Sequence, residues 1–174
     1  MQILRIIAAT LLIVVASIAT AQQPGGYVLG PGDRIAITVF GQADLSMEFT
    51  LSDDGTRSYP FLGEIVIAGM TLPQLEQRIA SGLRGDYLIN PDVSVSIIEY
   101  RLFFINGEVD RPGGYPYQPG LTLEKALALA GGLGPRAATD DIEVKRAGKA
   151  SSVAIEMSDA VHAGDVIDVP QSFF

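Results

Sequence analysis

The sequence predicts an α+β fold with two strand-rich units in tandem, each holding one helix. Three observations carry this. Apolar residues alternate at period two in several short runs, as in Ile35, Ile37 and Val39 or Val93, Val95 and Ile97. Only two stretches, after Thr71 and after Thr122, repeat at helical spacing behind a good N-cap. Glycine, at 19 residues, marks most of the corners between them.

The first twenty-one residues read as a secretory leader. Arg5 gives the positive start, Ile6 to Ile18 is almost wholly apolar, and Ala19-Thr20-Ala21 offers small residues for cleavage. The apolar run is shorter than the roughly 20 residues of a spanning helix, so export with cleavage after Ala21 is expected rather than anchoring. Residues 22–174 then suffice for one ordinary domain or two small ones sharing a core. Loss of Arg5 reduces the 12 basic residues by one against 20 acidic ones, taking the formal charge from −8 to −9. That balance repels phosphate backbones and argues against nucleic acid as a partner. With no cysteine there is no disulfide, no thiolate metal site and no lipidated N-terminal cysteine.

In the first unit, Gly30-Pro31-Gly32-Asp33 is a turn into the strand containing Ile35 to Val39. A second strand is expected over Glu48 to Leu51. Asp53-Asp54-Gly55 turns the chain into Arg57 to Phe61, and Gly63 breaks it before Glu64 to Ile67. A helix opens at Thr71, with Gln74 completing a capping-box pattern and Leu75, Ile79 and Leu83 on one side, and stops at Gly85. Asn90-Pro91 leads into the strand of Val93, Val95 and Ile97. In the second unit Leu102 to Val109 reads as a strand with Gly107 as a bulge. Arg111 to Gly114 is expected to form a type II corner, with Pro112 at the second position and Gly113 at the third with positive φ. Tyr115 and Tyr117 then lie on a return strand. A helix capped by Thr122 ends at Gly131-Gly132, and strands follow over Ile142 to Lys145, Ser152 to Ile155 and Val166 to Val169. A hairpin, a helix and further strands in that order resemble a ubiquitin-like β-grasp.

One pattern repeats: Gly32-Asp33 and Gly164-Asp165 each turn into an alternating strand. The reading is structural, an aspartate fixing a corner by bonding the backbone before it, and not a metal site. Catalytic sets are hard to assemble. Asp53-Asp54 and Asp140-Asp141 lie in turns, where adjacent acids are solvated, and His162 is the only histidine, read as an exposed loop side chain. Gly131-Gly132-Leu133-Gly134 follows a helix, the wrong end for cradling phosphate. Lys145-Arg146 with Lys149 reads as a solvated strand end. The terminal Phe173-Phe174 does not make a barrel strand, because Pro170 interrupts it and no series of ten-residue amphipathic segments precedes it. Neither a catalytic residue nor a metal or cofactor is expected. Arg111, Tyr115 and Tyr117 remain as candidate contacts for a saccharide or protein partner, with packing as the alternative for the tyrosines and a local pair to Glu108 or Asp110 as the alternative for Arg111.

The order of motifs goes further. Tyr27 to Asp33, Asp54-Gly55, Tyr59 to Gly63, Ile67 to Thr71 and Asn90 to Val93 resemble the export domain of bacterial exopolysaccharide and capsule export proteins. Gly107 to Val109, Arg111 to Gly113, Ala130 to Gly132, Gly164 to Ile167 and Val169-Pro170 are similar to the soluble-ligand-binding β-grasp (SLBB) module that follows it. The resemblance implies a leader over 1–21, an export domain over 22–100 and a β-grasp domain over 101–174. It also implies a non-enzymatic periplasmic role near the outer membrane, with polysaccharide as cargo. The implied partners are further copies in a ring, an outer-membrane barrel and an inner-membrane chain-length or copolymerase protein. Larger members add a lipidated cysteine, a second β-grasp module and a membrane-spanning helix, none of which this chain shows, so an adaptor or periplasmic ring is expected rather than a pore. A free periplasmic binding protein for a small ligand or oligosaccharide is the alternative.

Overall fold

A computed structural model describes residues 26–172; the segment read as a leader and Phe173-Phe174 lie outside them. The first half contains β1 (Arg34–Val39), β2 (Met47–Thr50), β3 (Thr56–Tyr59), β4 (Gly63–Val66), helix α1 (Leu72–Leu83) and β5 (Val93–Glu99). β1 lies between β2 and β5, antiparallel to both. Its alternation sends Ile35, Ile37 and Val39 into the core, where Val95 of β5 and the α1 stripe of Leu75, Ile79 and Leu83 meet them. Each such fully buried aliphatic side chain is worth about 2 kcal/mol of transfer free energy, so this interleaving is what holds the helix on the sheet. The Thr71 N–H donates to Gln74 Oε1 at 2.8 Å to open α1, and Gly85 follows its end with φ +93°.

The β3–β4 hairpin differs from expectation at its tip. The strand ends at Tyr59 rather than Phe61, because Tyr59 pairs with Gly63 and leaves residues 60–62 as the loop. Gly63 therefore begins a strand instead of breaking one, and Phe61 takes the left-handed conformation at φ +65° with its ring stacked on Tyr87, centroids 4.5 Å apart. Tyr59 is buried and its hydroxyl donates to the Leu45 carbonyl at 2.6 Å; burial pushes its pKa up. At Asp54, which accepts from the Thr56 N–H and the Ser52 hydroxyl, those bonds hold the carboxyl below its ordinary pKa.

The second half contains β6 (Leu102–Gly107), β7 (Gly113–Pro116), α2 (Leu123–Leu129), β8 (Glu143–Lys145), β9 (Ser152–Ala154) and β10 (Val166–Val169). They form one sheet in the order β7-β6-β10-β8-β9, with β10 parallel to β6 and every other pair antiparallel. First and last strands side by side at the centre, with a helix packed across the sheet, is the β-grasp arrangement. α2 begins at Thr122 and closes in a Schellman motif: Gly132 N–H donates to the Leu127 carbonyl at 2.9 Å and Gly131 N–H to the Ala128 carbonyl at 3.1 Å.

Three expectations for this half change. β6 ends at Gly107, not Val109, and Gly107 closes the strand instead of bulging within it. At φ +88° it lies flat against the Val169 carbonyl, and Val169 then accepts the Glu108 N–H at 2.8 Å. The type II corner at Arg111 to Gly114 is absent, because Gly113 pairs with Ile105 as the first residue of β7, and its φ of 157° is far from the roughly +80° such a turn needs. Residues 108–112, Pro112 included, form a wide connection tied to the end of α2. Finally, the two halves do not share a core. The buried apolar residues fall into one group from Leu29 to Val95 and another from Phe103 to Val169.

Candidate functional site

The two repeated corners fold alike. In Gly30 to Asp33 the Asp33 N–H donates to the Gly30 carbonyl at 3.1 Å; in His162 to Asp165 the Asp165 N–H donates to the His162 carbonyl at 3.2 Å. Gly32 and Gly164, at φ +92° and +83°, occupy the third position, the signature of the type II turn expected elsewhere. Each carboxylate then reaches back. Asp33 Oδ2 accepts the Gly30 N–H, and Asp165 Oδ2 accepts the His162 N–H, both at 2.8 Å. Each corner is thus tied by its own aspartate.

Both aspartates are essentially inaccessible, at 0% and 1% exposure. A carboxylate taken out of water costs several kcal/mol unless cations and donors surround it, so each requires a partner. Arg101 supplies one through Nη1, 2.8 Å from Asp33 Oδ2; Arg146 supplies the other through Nη1, 2.5 Å from Asp165 Oδ2. Asp33 Oδ1 also accepts the Tyr27 hydroxyl at 2.5 Å and the Arg101 N–H at 2.8 Å.

Arg101 does more than neutralise Asp33, because it sits where the two halves meet. Its Nε donates to the Ala163 carbonyl at 3.2 Å, in the second corner, while Nη1 donates to Tyr27 and Val28 beside the first. Glycine at both corners makes room for it: a Cβ on Gly30 would stand 2.7 Å from Nη1, and one on Gly164 would stand 2.9 Å from Nε. Around this ion pair Tyr27, Tyr100 and Tyr117 form a cluster. Tyr100 meets both others edge-on, with centroids at 4.8 and 5.4 Å. Burial, reinforced by its bond to Asp33, pushes the Tyr27 phenol far above its ordinary pKa; burial raises Tyr117 as well, helped by Tyr100 and Asp165.

A cleft of about 580 Å³ opens here, bordered by Tyr27, Arg101, Tyr117, Arg146 and His162. His162, 62% exposed, stands at the rim with Nδ1 2.7 Å from Arg146 Nη1. Because the guanidinium can only donate, Nδ1 is the acceptor nitrogen. The arrangement is suited to holding a bound molecule, with both buried carboxylates already committed as acceptors.

Of the residues singled out from the sequence, Tyr117 joins this site and the other two do not. Tyr115 is half-buried against Phe103, and its hydroxyl donates to the Arg111 carbonyl. Arg111 pairs with Asp110 at 3.8 Å and donates through Nη2 to the Leu129 carbonyl at 3.2 Å, at the C-terminal end of α2 where a cation is favoured. The local pairing given as the alternative for Arg111 is therefore present. Arg111→Ala is expected to cost less than about 1 kcal/mol, because the pair is exposed and the bond of the Arg111 N–H to the Ala130 carbonyl survives; thermal denaturation checks this. The sequence reading does not single out Arg101 or Tyr27, takes Arg146 as solvated and gives His162 no neighbours. The Gly-Asp repeat is the available signal, since an aspartate buried at a corner demands a cation even when the sequence does not say which.

The comparisons with known proteins agree with the two halves. The family described as "Polysaccharide biosynthesis/export protein" matches residues 21–98, and the SLBB domain matches residues 102–155. The exopolysaccharide production protein ExoF of Rhizobium meliloti (strain 1021) is 32% identical over 130 residues, 68% of this chain and 30% of that protein. The polysialic acid transport protein KpsD of Escherichia coli is 30% identical over 129 residues, 72% of this chain and 23% of that protein. The EPS I polysaccharide export outer membrane protein EpsA of Ralstonia nicotianae (strain ATCC BAA-1114 / GMI1000) is 29% identical over 122 residues, 68% of this chain and 32% of that protein. The matched region spans less than a third of each of these relatives. The chain belongs to the polysaccharide export proteins, with an SLBB domain behind its export domain.

Proposed function

We propose that this protein is a non-catalytic, periplasmic component of a polysaccharide export machine, forming or supporting the conduit that carries exopolysaccharide or capsule to the outer membrane. The organisation is a leader over 1–21, an export domain over 22–100 and a β-grasp domain over 101–174. The observation that carries the reading is the junction at Arg101. An export domain and an SLBB domain with separate cores are clamped by Arg101, which fits a component that must hold two surfaces at a fixed angle inside an assembly. The relatives named for exopolysaccharide production, polysialic acid transport and EPS I export support polysaccharide as the cargo. Its partners are further copies in a ring, an outer-membrane barrel and an inner-membrane chain-length protein.

Deleting the gene is expected to abolish surface polymer while intracellular synthesis continues, read by immunoblotting of surface and cell-associated glycan. Normal surface polymer in a clean deletion would defeat the proposal. The cleft gives one observation in favour of a free periplasmic binding protein instead. Tight ligand binding by an isolated monomer, together with unimpaired export in the deletion strain, would select that reading.

A further inference from the structure

We infer that the cleft between the two halves is a binding site for an acidic sugar unit, held by its carboxylate, and that the unit belongs to the exported polymer; the last step rests on the export reading above. Arg101 spends Nε and Nη1 on Ala163, Tyr27, Val28 and Asp33, and Arg146 spends Nη1 on Asp165, Ala160 and His162. Nη2 of Arg101, and both Nε and Nη2 of Arg146, make no hydrogen bond among the described residues. No buried side-chain nitrogen there lacks a partner, so these donors reach solvent. Both arginines border the same cleft.

The open Nε–Nη2 fork of Arg146 and the single open Nη2 of Arg101, each on a guanidinium held by a buried carboxylate, are preorganised donors. They lose little side-chain entropy on binding, and their geometry matches a carboxylate better than a scattered set of hydroxyls. The buried aspartates set the arginines without filling the cleft. Tyr27 and Tyr117 border the same space, and tyrosine offers an apolar ring surface with a polar tip, the combination a pyranose ring packs against. A volume of about 580 Å³ takes one or two sugar units. An acidic peptide would use the arginines but has less use for the tyrosine walls, and a neutral sugar would use the walls but leave the Arg146 fork unfilled.

The test is calorimetric titration of the purified protein with trigalacturonate, free galacturonate, maltotriose and triglutamate. Trigalacturonate is expected to bind about tenfold more tightly than maltotriose, with affinity falling as salt rises. Binding that strengthens from galacturonate to trigalacturonate assigns the site to a polymer unit; equal binding by the free sugar would remove the polymer from the proposal. Equal affinity for maltotriose or triglutamate, or no binding of trigalacturonate at millimolar concentration, would overturn it. Arg146→Lys keeps a cation beside Asp165 but loses the fork, and should weaken trigalacturonate about tenfold without lowering the melting temperature. Tyr117→Leu, which leaves every ion pair in place, should weaken it as well. An Arg146→Lys protein that no longer binds trigalacturonate yet restores surface polymer to the deletion strain would sink this proposal alone. Normal polymer in the deletion strain itself would sink the export reading, whatever the cleft binds.

Discussion

Gly107→Ala is expected to unfold or severely destabilise the β-grasp half, at a cost on the order of 4 kcal/mol. Two penalties coincide. A φ of +88° is one that a side chain adopts only under strain, and the new Cβ would overlap the Val169 carbonyl oxygen. That oxygen belongs to backbone in the central strand β10 and cannot rotate away. It also accepts the Glu108 N–H, so any shift that relieves the overlap breaks the last rung between β6 and β10. The parallel pairing of these two strands joins the ends of the fold, so a loss here is felt throughout the sheet. A domain stable by about 5–15 kcal/mol would lose a large part of its margin. Gly148→Ala is the control, because Gly148 has φ +73° and its added Cβ would meet nothing within 4 Å, leaving strain of only about 1–2 kcal/mol. Thermal or urea denaturation of both variants decides. Equal losses would show that the carbonyl contact contributes nothing and only the dihedral matters.

Much of this fold is legible because the strands are short, one-sided and bounded by glycine. The stripe Ile35, Ile37, Val39 and the helical stripe Leu75, Ile79, Leu83 are the buried residues they advertise, and both helix starts fall at the threonines that cap them. The failures are instructive about where local rules lose. Pro112-Gly113 has the composition of a type II turn, but Ile105 claims Gly113 as a ladder partner, and a long-range pairing outweighs a dipeptide preference. The true type II corners read in the sequence only as Gly-Asp turns, with Gly32 and Gly164 in the third position. The site is less legible still. Arg101 stands 68 residues from Asp33 and 62 from Ala163, so no window of sequence contains the junction it makes. Arg146 lies beside Lys145 near Lys149, and its burial against Asp165 is set by the β8–β10 pairing rather than by its neighbours. What the chain displays locally is the repeat, two aspartates at equivalent corners; what it hides is that both are buried and therefore paired.

Arg101→Met should cost about 3 kcal/mol and uncouple the two halves, a different kind of damage from that at Gly107. The methionine keeps the apolar stem but removes the cation from a carboxylate with no exposure, leaving Asp33 with only the Tyr27 hydroxyl and the backbone donors of Gly30 and residue 101. It also removes the bond to the Ala163 carbonyl, the direct hydrogen bond from this side chain to the second corner. Because each half keeps its own apolar core, neither should unfold outright. The expected readout is a melting transition lowered by roughly 10 °C and broadened or split, since coupling between two separately packed units is what makes them melt together. Asp33→Asn adds the second arm of a double-mutant cycle. With both partners gone no buried charge is stranded, so the double variant should lose less than the two single losses added, by about 2 kcal/mol. If the losses simply add, Asp33 and Arg101 act independently and the junction is held by the tyrosine cluster instead. If they are coupled and Arg101→Met fails to restore surface polymer while still binding trigalacturonate, with each half folded by its near-ultraviolet and amide-exchange signals, then the fixed angle between the halves is itself required for export.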